Sequence, residues 1–113
     1  DLDYVNNSSV TSNTISDTGD NGVEIDYGTN HFVAYNTIDD TATNGVYIYG
    51  ASGGYEGSVR VYDNDITDAG YDGVYAGNTT ALLIDYNTIT GVGDDGVDVE
   101  SSSEADIAYN NID

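Results

Sequence analysis

Apolar positions recur along this chain in one fixed arrangement. The unit is an apolar residue, an asparagine three positions later, an isoleucine two positions after that, a polar turn rich in Gly and Asp, and then Gly-Val-x-apolar. The clearest unit is LLIDYNTITGVGDDGVDV, which places Ile84, Asn87, Ile89, Gly96 and Val97 at these positions. Since the unit returns at a regular interval, the sequence predicts a solenoid in which each repeat packs on its neighbours.

The asparagine of the unit defines the period. The equivalent residues are Asn13, Asn36, Asn64, Asn87 and Asn110, which are separated by 23, 28, 23 and 23 positions. The single long step predicts a five-residue insertion between Tyr49 and Val59, around residues 50–54. The repeats form one domain that spans residues 1–113 and contains about four and a half coils.

Each coil is predicted to consist of three short strands. Apolar residues stand two apart or bracket a tight turn, and Val, Ile, Thr and Tyr dominate these segments, as is typical of strands. In the first unit we expect strands over about 23–26, about 9–11 and about 14–16. Equivalent strands of successive coils would then stack in parallel, roughly 4.8 Å apart.

The repeated asparagines predict an inward ladder. Asparagine tolerates the left-handed backbone of tight turns, and stacked amides can hydrogen-bond along the stack. All five units carry Asn at this position, which a general preference of turns for Asn does not explain. A leucine-rich repeat has an overlapping period and core. The near absence of Leu and the second strand signal at every Gly-Val argue against it.

The spacing V-x-x-N-x-I followed by D/N-G-V-x-V resembles the parallel β-helix repeats of the pectin-lyase-like superfamily, and NosD-like surface and periplasmic proteins carry similar repeats. The resemblance covers essentially the whole chain. It implies an all-β fold, a right-handed parallel β-helix. It constrains function weakly, because this superfamily includes lyases, hydrolases, epimerases, adhesins and viral fibres.

Charge is the dominant feature of the composition. The chain has 21 acidic residues, one Arg (Arg60) and no Lys, so its formal net charge is −20. Such a surface suits molar salt, where the Debye length falls to about 3 Å and self-repulsion weakens. Carboxylates and turn carbonyls are also the ligands that Ca²⁺ prefers. Both interpretations are compatible with the sequence.

The same composition excludes several classes of function. Nucleic acid is excluded as a partner because phosphate binding needs cations, and an anionic membrane surface is disfavoured for the same reason. No apolar run is long enough for membrane insertion. There is no Cys, hence no disulfide. Asn6, Asn7 and Asn78 lie in N-x-S/T sequons, which chance alone readily produces in such a sequence.

Acidic turns supply the candidate calcium ligands. In register, Asp17, Asp40 and Asp68 form one column, while Asp72 and Asp95 continue a column that begins with Asn21 and Asn44. Like charges stacked about 4.8 Å apart repel by ~1 kcal/mol in water, which a cation between coils would relieve. The alternative is a solvated acidic turn in a salt-adapted protein.

The strand after each Gly-Val carries the candidate binding face. Its outward columns are Glu24, Tyr47, Tyr75 and Asp98, and Asp26, Tyr49, Gly77 and Glu100. We expect a carbohydrate site built from Tyr47, Tyr49, Tyr75, Glu24 and Asp98, because tyrosine offers a flat apolar ring and a hydroxyl. The insertion, with Tyr55 and Glu56, should project beside this face, and Tyr71 should flank its other side. The alternatives are cross-strand stacking that only stabilises the sheet and a contact face between solenoids. In the resembled superfamily this face commonly forms the polysaccharide groove.

No complete catalytic set is found in the sequence. The pairs Glu24/Asp26 and Asp98/Glu100 have roughly the 6–7 Å spacing of residues two apart on a strand, near that of glycosidase carboxylates. The resembled lyases use a basic residue, and Arg60 is expected on another strand, between Phe32 and Leu83. His31 is expected to be a surface residue in a turn. We name no catalytic residue.

Three functions therefore stay open. The first is a structural or adhesive solenoid of an extracellular or cell-surface protein, a mature or excised segment that stacks on copies of itself or on flanking coils and comes from a salt-adapted organism. It is motivated by the coil that starts and stops without a capping helix. The second is a carbohydrate-binding β-helix module. The third is a fragment of a polysaccharide lyase, hydrolase or epimerase.

Overall fold

The computed structural model describes residues 1–54 and 58–113 as a stack of short parallel strands without a helix. The strands are β1 Leu2–Asp3, β2 Ser9–Thr11, β3 Thr14–Thr18, β4 Val23–Asp26, β5 Phe32–Ala34, β6 Thr37–Thr41, β7 Val46–Tyr49, β8 Val59–Tyr62, β9 Asp65–Ala69, β10 Val74–Gly77, β11 Thr80–Asp85, β12 Thr88–Thr90, β13 Val97–Glu100, β14 Ser103–Ala108 and β15 Asn111–Ile112. The predicted strands 23–26 and 9–11 are confirmed, and the third runs two residues further, to Thr18.

The strands form three sheets of five, one strand of each coil in each sheet. Sheet 1 has the order β1-β4-β7-β10-β13, sheet 2 the order β2-β5-β8-β11-β14, and sheet 3 the order β3-β6-β9-β12-β15. All the pairings are parallel, and residues 23 or 28 positions apart lie side by side. The architecture is the predicted β-solenoid with three strands per coil. It measures 35 × 24 × 23 Å.

Alternation along each strand sends one set of side chains into the core. In sheet 1, Val23, Val46 and Val74 stack on one another, while Ile38, Ile66 and Ile89 do so in sheet 3. All six are buried or nearly so. Each inward column therefore contributes one apolar contact per coil, and this periodic contact makes the 23-residue unit the basic element of stability.

Steric crowding explains why glycine precedes valine in the repeated Gly-Val. A Cβ on Gly45 would lie 2.5 Å from Ile66 Cγ2 and 2.7 Å from the carbonyl oxygen of Gly73. A Cβ on Gly22 would likewise lie 2.5 Å from Ile38 Cγ2 and 2.6 Å from the carbonyl oxygen of Gly45. Because coils approach so closely at this corner, only a residue without a side chain fits.

The long step between coils two and three lies at the corner between sheets 1 and 2. Ser52 still pairs with Thr29 of the preceding coil and with Thr80 of the following one, so the stack continues through the insertion. The predicted projection of Tyr55 and Glu56 lies outside the described residues.

The prediction that His31 is a surface residue was wrong. It lies not on the surface but in an inward column of sheet 2, next to Val59, and is 1% exposed. Its Nε2 is 3.1 Å from the carbonyl oxygen of Tyr27, and its Nδ1 has no protein partner. Glycine at position 28 leaves the space that the ring occupies, since a Cβ there would lie 2.9 Å from His31 Nε2.

Candidate functional site

The five asparagines of the repeat form an inward amide ladder along the solenoid. Asn36 Nδ2 donates to Asn64 Oδ1 at 3.0 Å, and Asn64 Nδ2 donates to Asn87 Oδ1 at 2.9 Å. The backbone N–H of Asn36 and of Asn64 donates to the same oxygens, at 3.1 and 3.0 Å. Asn13 and Asn110 continue this pattern at the two ends. The predicted ladder is therefore present in every coil.

The chemistry of this column requires asparagine. The second amide hydrogen of Asn64 donates to the carbonyl oxygen of Val33, and that of Asn87 donates to Val61 in the same way. Each of these two side chains thus donates to a carbonyl oxygen of the preceding coil and to the next asparagine, and it accepts two hydrogen bonds. An aspartate could accept but not donate, so it would leave buried carbonyl oxygens without partners.

A second ladder runs along the turn before sheet 1, with the opposite polarity. Asn21 Oδ1 accepts the backbone N–H of Asn44 at 3.1 Å. Asn44 Oδ1 then accepts from Asp72, and Asp72 Oδ1 accepts from Asp95, at 3.1 and 3.0 Å. The backbone bonds require only an acceptor, and for this reason both Asn and Asp occupy the column. We call this column the Asn/Asp ladder.

Asp72 is the buried carboxyl of the Asn/Asp ladder. Burial raises its pKa, the hydrogen bond from the backbone N–H of Asp95 opposes that rise, and the negative charges of Asp98, Asp94 and Asp95 add to it. Two of the five predicted calcium ligands, Asp72 and Asp95, therefore belong to the Asn/Asp ladder.

The other predicted calcium ligands, Asp17, Asp40 and Asp68, are exposed within β3, β6 and β9, where each interrupts the strand with a left-handed backbone, at φ between 51° and 54°. Asp and Asn tolerate this conformation, which gives their recurrence a conformational cause. Residues 1–54 and 58–113 contain no group of three or more His, Asp or Glu arranged to hold a metal ion. Calcium binding stays a prediction.

Sheet 1 brings the predicted binding tyrosines together on its outer face. Tyr47 and Tyr75 are direct neighbours in β7 and β10, and their rings stack with centroids 5.1 Å apart at an interplanar angle of 11°. Gly77 leaves space for this stack, because a Cβ there would lie 2.7 Å from the Tyr75 hydroxyl and 2.9 Å from a ring carbon of Tyr49. Glu24 and Asp98 flank the stack in register.

Hydrogen bonds hold the hydroxyl groups of Tyr75 and Tyr49 on this face. The Tyr75 hydroxyl donates to Glu100 Oε2 at 3.1 Å, and the Tyr49 hydroxyl accepts from Asn78 Nδ2 at 2.7 Å. Burial first, and then the hydrogen bond and charge of Glu100, raise the pKa of Tyr75 to about 12. Burial, followed by the charges of Asp26 and Glu24, also raises the pKa of Tyr47.

The carboxyl groups on the outer face of sheet 1 repel one another. Burial and the neighbouring Glu24 raise the pKa of Asp26, and burial and Glu100 raise the pKa of Asp98. Asn21 Nδ2 donates to Glu24 Oε2 at 2.9 Å. The face therefore combines the phenols of Tyr47 and Tyr75 with two carboxyl groups whose pKa values are raised. Such a negatively charged surface disfavours anions.

Tyr27 extends the aromatic surface in a way that the sequence did not reveal. Its ring stacks on Tyr4 with centroids 4.6 Å apart and meets Tyr49 edge-on at 6.0 Å. The predicted flanking residue Tyr71 is 58% exposed in the turn between β9 and β10.

A second aromatic strip lies at the corner between sheets 2 and 3. We call it the corner strip, and its members are Phe32, Tyr35, Tyr62, Tyr86 and Tyr109. Sequence reasoning missed it, although a signal was present. In three coils the ladder asparagine is preceded by tyrosine, at Tyr35, Tyr86 and Tyr109.

Arg60 lies on the outer face of sheet 2 between Phe32 and Leu83, as predicted. Its Nη2 donates to Asp85 Oδ2 at 2.9 Å and its Nε donates to Asp85 Oδ1 at 3.2 Å. The guanidinium also lies 4.2 Å from the centre of the Tyr62 ring. The single basic side chain of the sequence is thus held on the corner strip, away from the outer face of sheet 1.

Among the described residues, 1–54 and 58–113, there is no helix with the length and apolar character that a membrane crossing requires. A family model described as "Right handed beta helix region" matches residues 2–113. Neither a search of curated proteins nor a search of solved structures found a match.

Proposed function

We propose that the chain, which belongs to the right-handed β-helix family, serves as a structural and adhesive solenoid of an extracellular surface protein from a salt-adapted organism. In this role the solenoid is a stiff rod that extends by axial stacking of coils, and its outer faces make the adhesive contacts. The net charge of −20 keeps such a rod soluble in molar salt, where screening suppresses self-repulsion.

The observation that carries this proposal is the uninterrupted ladder of Asn13, Asn36, Asn64, Asn87 and Asn110. Side-chain amides and backbone pairing join every coil to the next in one register. Bending the rod would break several buried hydrogen bonds at once, each with a penalty of about 1–3 kcal/mol. Stiffness of this kind suits a spacer at a surface better than a module that closes around a ligand.

The end faces of the stack support axial assembly. Ile107 and Ile112 are 47% and 49% exposed, whereas their partners in the preceding coil, Ile84 and Ile89, are fully buried. At the other end, Val10 and Ile15 are only partly covered. Another coil, provided by a second copy or by flanking coils of a longer chain, would bury these side chains and pair the open strand edges.

Sedimentation at high salt tests this proposal. We expect the wild-type chain to form species larger than a monomer at high concentration, and Ile112→Lys to shift the distribution to monomers because it places a charge on the end face. Thr88→Lys is the matched control, since it adds the same charge on the side of the solenoid, where Thr88 is exposed. Monomers at all concentrations for the wild-type chain would contradict the proposal.

A second candidate function is carbohydrate binding by the outer face of sheet 1. The stacked pair Tyr47 and Tyr75 favours it, because both side chains are partly exposed and the Tyr75 hydroxyl is held beside the Glu100 carboxylate. We expect neutral glycans to bind at high salt with calcium present, and Tyr75→Leu to weaken that binding. Tyr109→Leu removes an exposed tyrosine at the corner between sheets 2 and 3 and is the control. A glycan array without hits would count against this function.

A further inference from the structure

The corner strip is a continuous row of aromatic rings parallel to the solenoid axis. Ring centroids are 5.6 Å apart between Tyr35 and Tyr62, 5.5 Å between Tyr62 and Tyr86, and 5.0 Å between Tyr86 and Tyr109. Phe32 meets Tyr35 edge-on at 6.4 Å. Each of coils two to five therefore contributes at least one ring to a single surface.

These rings are far more exposed than packing alone explains. Tyr35 is 52% exposed, Tyr86 is 49% exposed and Tyr109 is 77% exposed. Three of the rings also stand at residues with a left-handed backbone, at φ near 60°, which is unfavourable for a large side chain. An exposed apolar row in a chain with a net charge of −20 is the kind of surface that marks a binding site.

Arg60 shows which chemistry the corner strip accepts. Its guanidinium lies over the Tyr62 ring and forms two hydrogen bonds with the Asp85 carboxylate. The aromatic face and the carboxylate thus hold one arginine at the middle of the row. Guanidinium is the cation best suited to this pair, because it is planar, weakly hydrated and able to bond a carboxylate with two N–H groups.

Two further carboxylates stand near the corner strip, at positions other than the one that Asp85 occupies. Asp63 is exposed, and it occupies the position between Tyr35 and Tyr86 at this corner, one residue after the end of its strand. Asp106 is exposed and stands in the outward column of Arg60 and Leu83. Exposed carboxylates therefore stand near the corner strip in the coil of Arg60 and two coils further on.

We propose that the corner strip is a docking surface for an arginine-bearing segment of a partner protein. Guanidinium groups of the partner stack on Tyr86 and Tyr109 and pair with neighbouring carboxylates, as Arg60 does on Tyr62. Charge complementarity selects this partner, because the net charge of −20 attracts cations and repels polyanions. This proposal is independent of axial assembly, which uses the end faces.

The test is a titration with a short, flexible Gly/Ser peptide that carries arginines and with its lysine-for-arginine counterpart, at matched ionic strength. Aromatic NMR signals identify which tyrosines are contacted. We expect the arginine peptide to bind more tightly than the lysine peptide and to shift the signals of Tyr62, Tyr86 and Tyr109. Tyr86→Leu with Tyr109→Leu should weaken its binding roughly 5- to 30-fold, if each lost cation–π contact is worth about 0.5–1 kcal/mol.

Two matched variants make this result specific. Tyr4→Leu with Tyr71→Leu removes two exposed tyrosines outside the corner strip at unchanged charge, and it should leave the affinity unchanged. Tyr86→Phe with Tyr109→Phe keeps both rings and should bind nearly as the wild type does, which separates loss of the ring faces from loss of the fold.

Three results would overturn the proposal. The first is equal affinity for the two peptides with no effect of the leucine pair, which would indicate nonspecific attraction to the acidic surface. The second is a shift of the strip signals by a neutral oligosaccharide alone, which would indicate a glycan site. The third is a change of oligomeric state as the only effect of the leucine pair, which would indicate a lateral contact between copies.

Discussion

The two ladders show how donor and acceptor requirements select individual residues. The inward ladder needs a side chain that donates to a backbone carbonyl and to the next amide, and all five positions are Asn. The backbone bonds of the Asn/Asp ladder need only an acceptor, and it contains both residue types. The sequence predicted the first ladder because its residue never varies. It gave an ambiguous signal for the second, which was interpreted as a column of metal ligands.

Asn64→Ala tests the inward ladder at its centre. The substitution leaves the carbonyl oxygen of Val33, the backbone N–H of Asn36 and Asn87 Oδ1 each with a lost partner in the core. We expect the free energy of unfolding to fall by about 3 kcal/mol or more, measured by urea denaturation. Asn13→Ala is the control at the exposed end, and it should cost below about 1 kcal/mol. Equal losses at the two positions would contradict the buried ladder.

Asp72→Asn tests the electrostatics of the Asn/Asp ladder. Asn keeps the acceptor for the backbone N–H of Asp95 and adds a donor toward Asn44, as Asn44 donates to Asn21. We expect a gain of about 1 kcal/mol in the free energy of unfolding at pH 7. Asp94→Asn, an exposed neighbour, is the control and should change stability by less than about 0.5 kcal/mol.

The gain at Asp72 should depend on pH. Its pKa in the folded state is raised above the unfolded value of 3.8, so the folded chain binds the proton more tightly. Ionisation therefore destabilises the fold as pH rises from 3.8 through the folded pKa, and the full penalty is present at higher pH. The advantage of Asn should shrink as pH falls toward 3.8. An advantage that stays constant between pH 7 and pH 4 would contradict this cause.

At the scale of elements, the periodic pattern predicted the strands well. Apolar and polar residues alternate in Val23–Asp26 and in the strands of the other two sheets. This alternation predicted the register of the sheets, since a slip of one residue would expose a whole inward column. Corners were less predictable. His31 is a core residue because the register of sheet 2 places it beside Val59, and a single polar residue in an apolar column gives no sequence signal.

The aromatic surfaces were predictable only in part. The sequence placed Tyr47 and Tyr75 in one outward column because their strands are regular. The corner strip joins residues of a strand face, such as Tyr62, with residues of a left-handed corner, such as Tyr86. The alternation of inward and outward side chains along a strand does not predict the direction of a side chain at a corner. The tyrosines before the ladder asparagines are visible in the sequence, but only the three-dimensional structure joins them with Tyr62 in one strip.

Gly73→Ala tests the close approach of coils at the Gly-Val corner. A Cβ at this position would meet Ile89 and lie 2.6 Å from the carbonyl oxygen of Gly96. We expect a loss of about 2–3 kcal/mol in the free energy of unfolding, because neither the neighbouring backbone nor the core can move aside. Gly19→Ala is the control, since nothing lies within 4 Å of a Cβ there. A loss of similar size at both glycines would show that the corner is not tightly packed.

At the scale of the molecule, the net charge of −20 should make stability depend on salt. Raising KCl from 0.1 to 1 M shortens the Debye length from about 10 to about 3 Å. We expect Tm to rise by roughly 5–10 °C, which corresponds to about 1–2 kcal/mol. The triple variant Asp17→Asn, Asp40→Asn, Asp68→Asn should show a shallower rise. Calcium at equal ionic strength separates site binding from screening, since only a bound ion would raise Tm beyond the KCl value.

The most direct test of the proposed function is electron microscopy with fibre diffraction on the wild-type chain in molar salt. We expect filaments with the width of one solenoid and an axial spacing of about 4.8 Å that continues across the junctions between copies, because end faces stack in register. Ile112→Lys should abolish them. Compact monomers, or bundles joined through the sides of the solenoid, would contradict axial assembly as the basis of function.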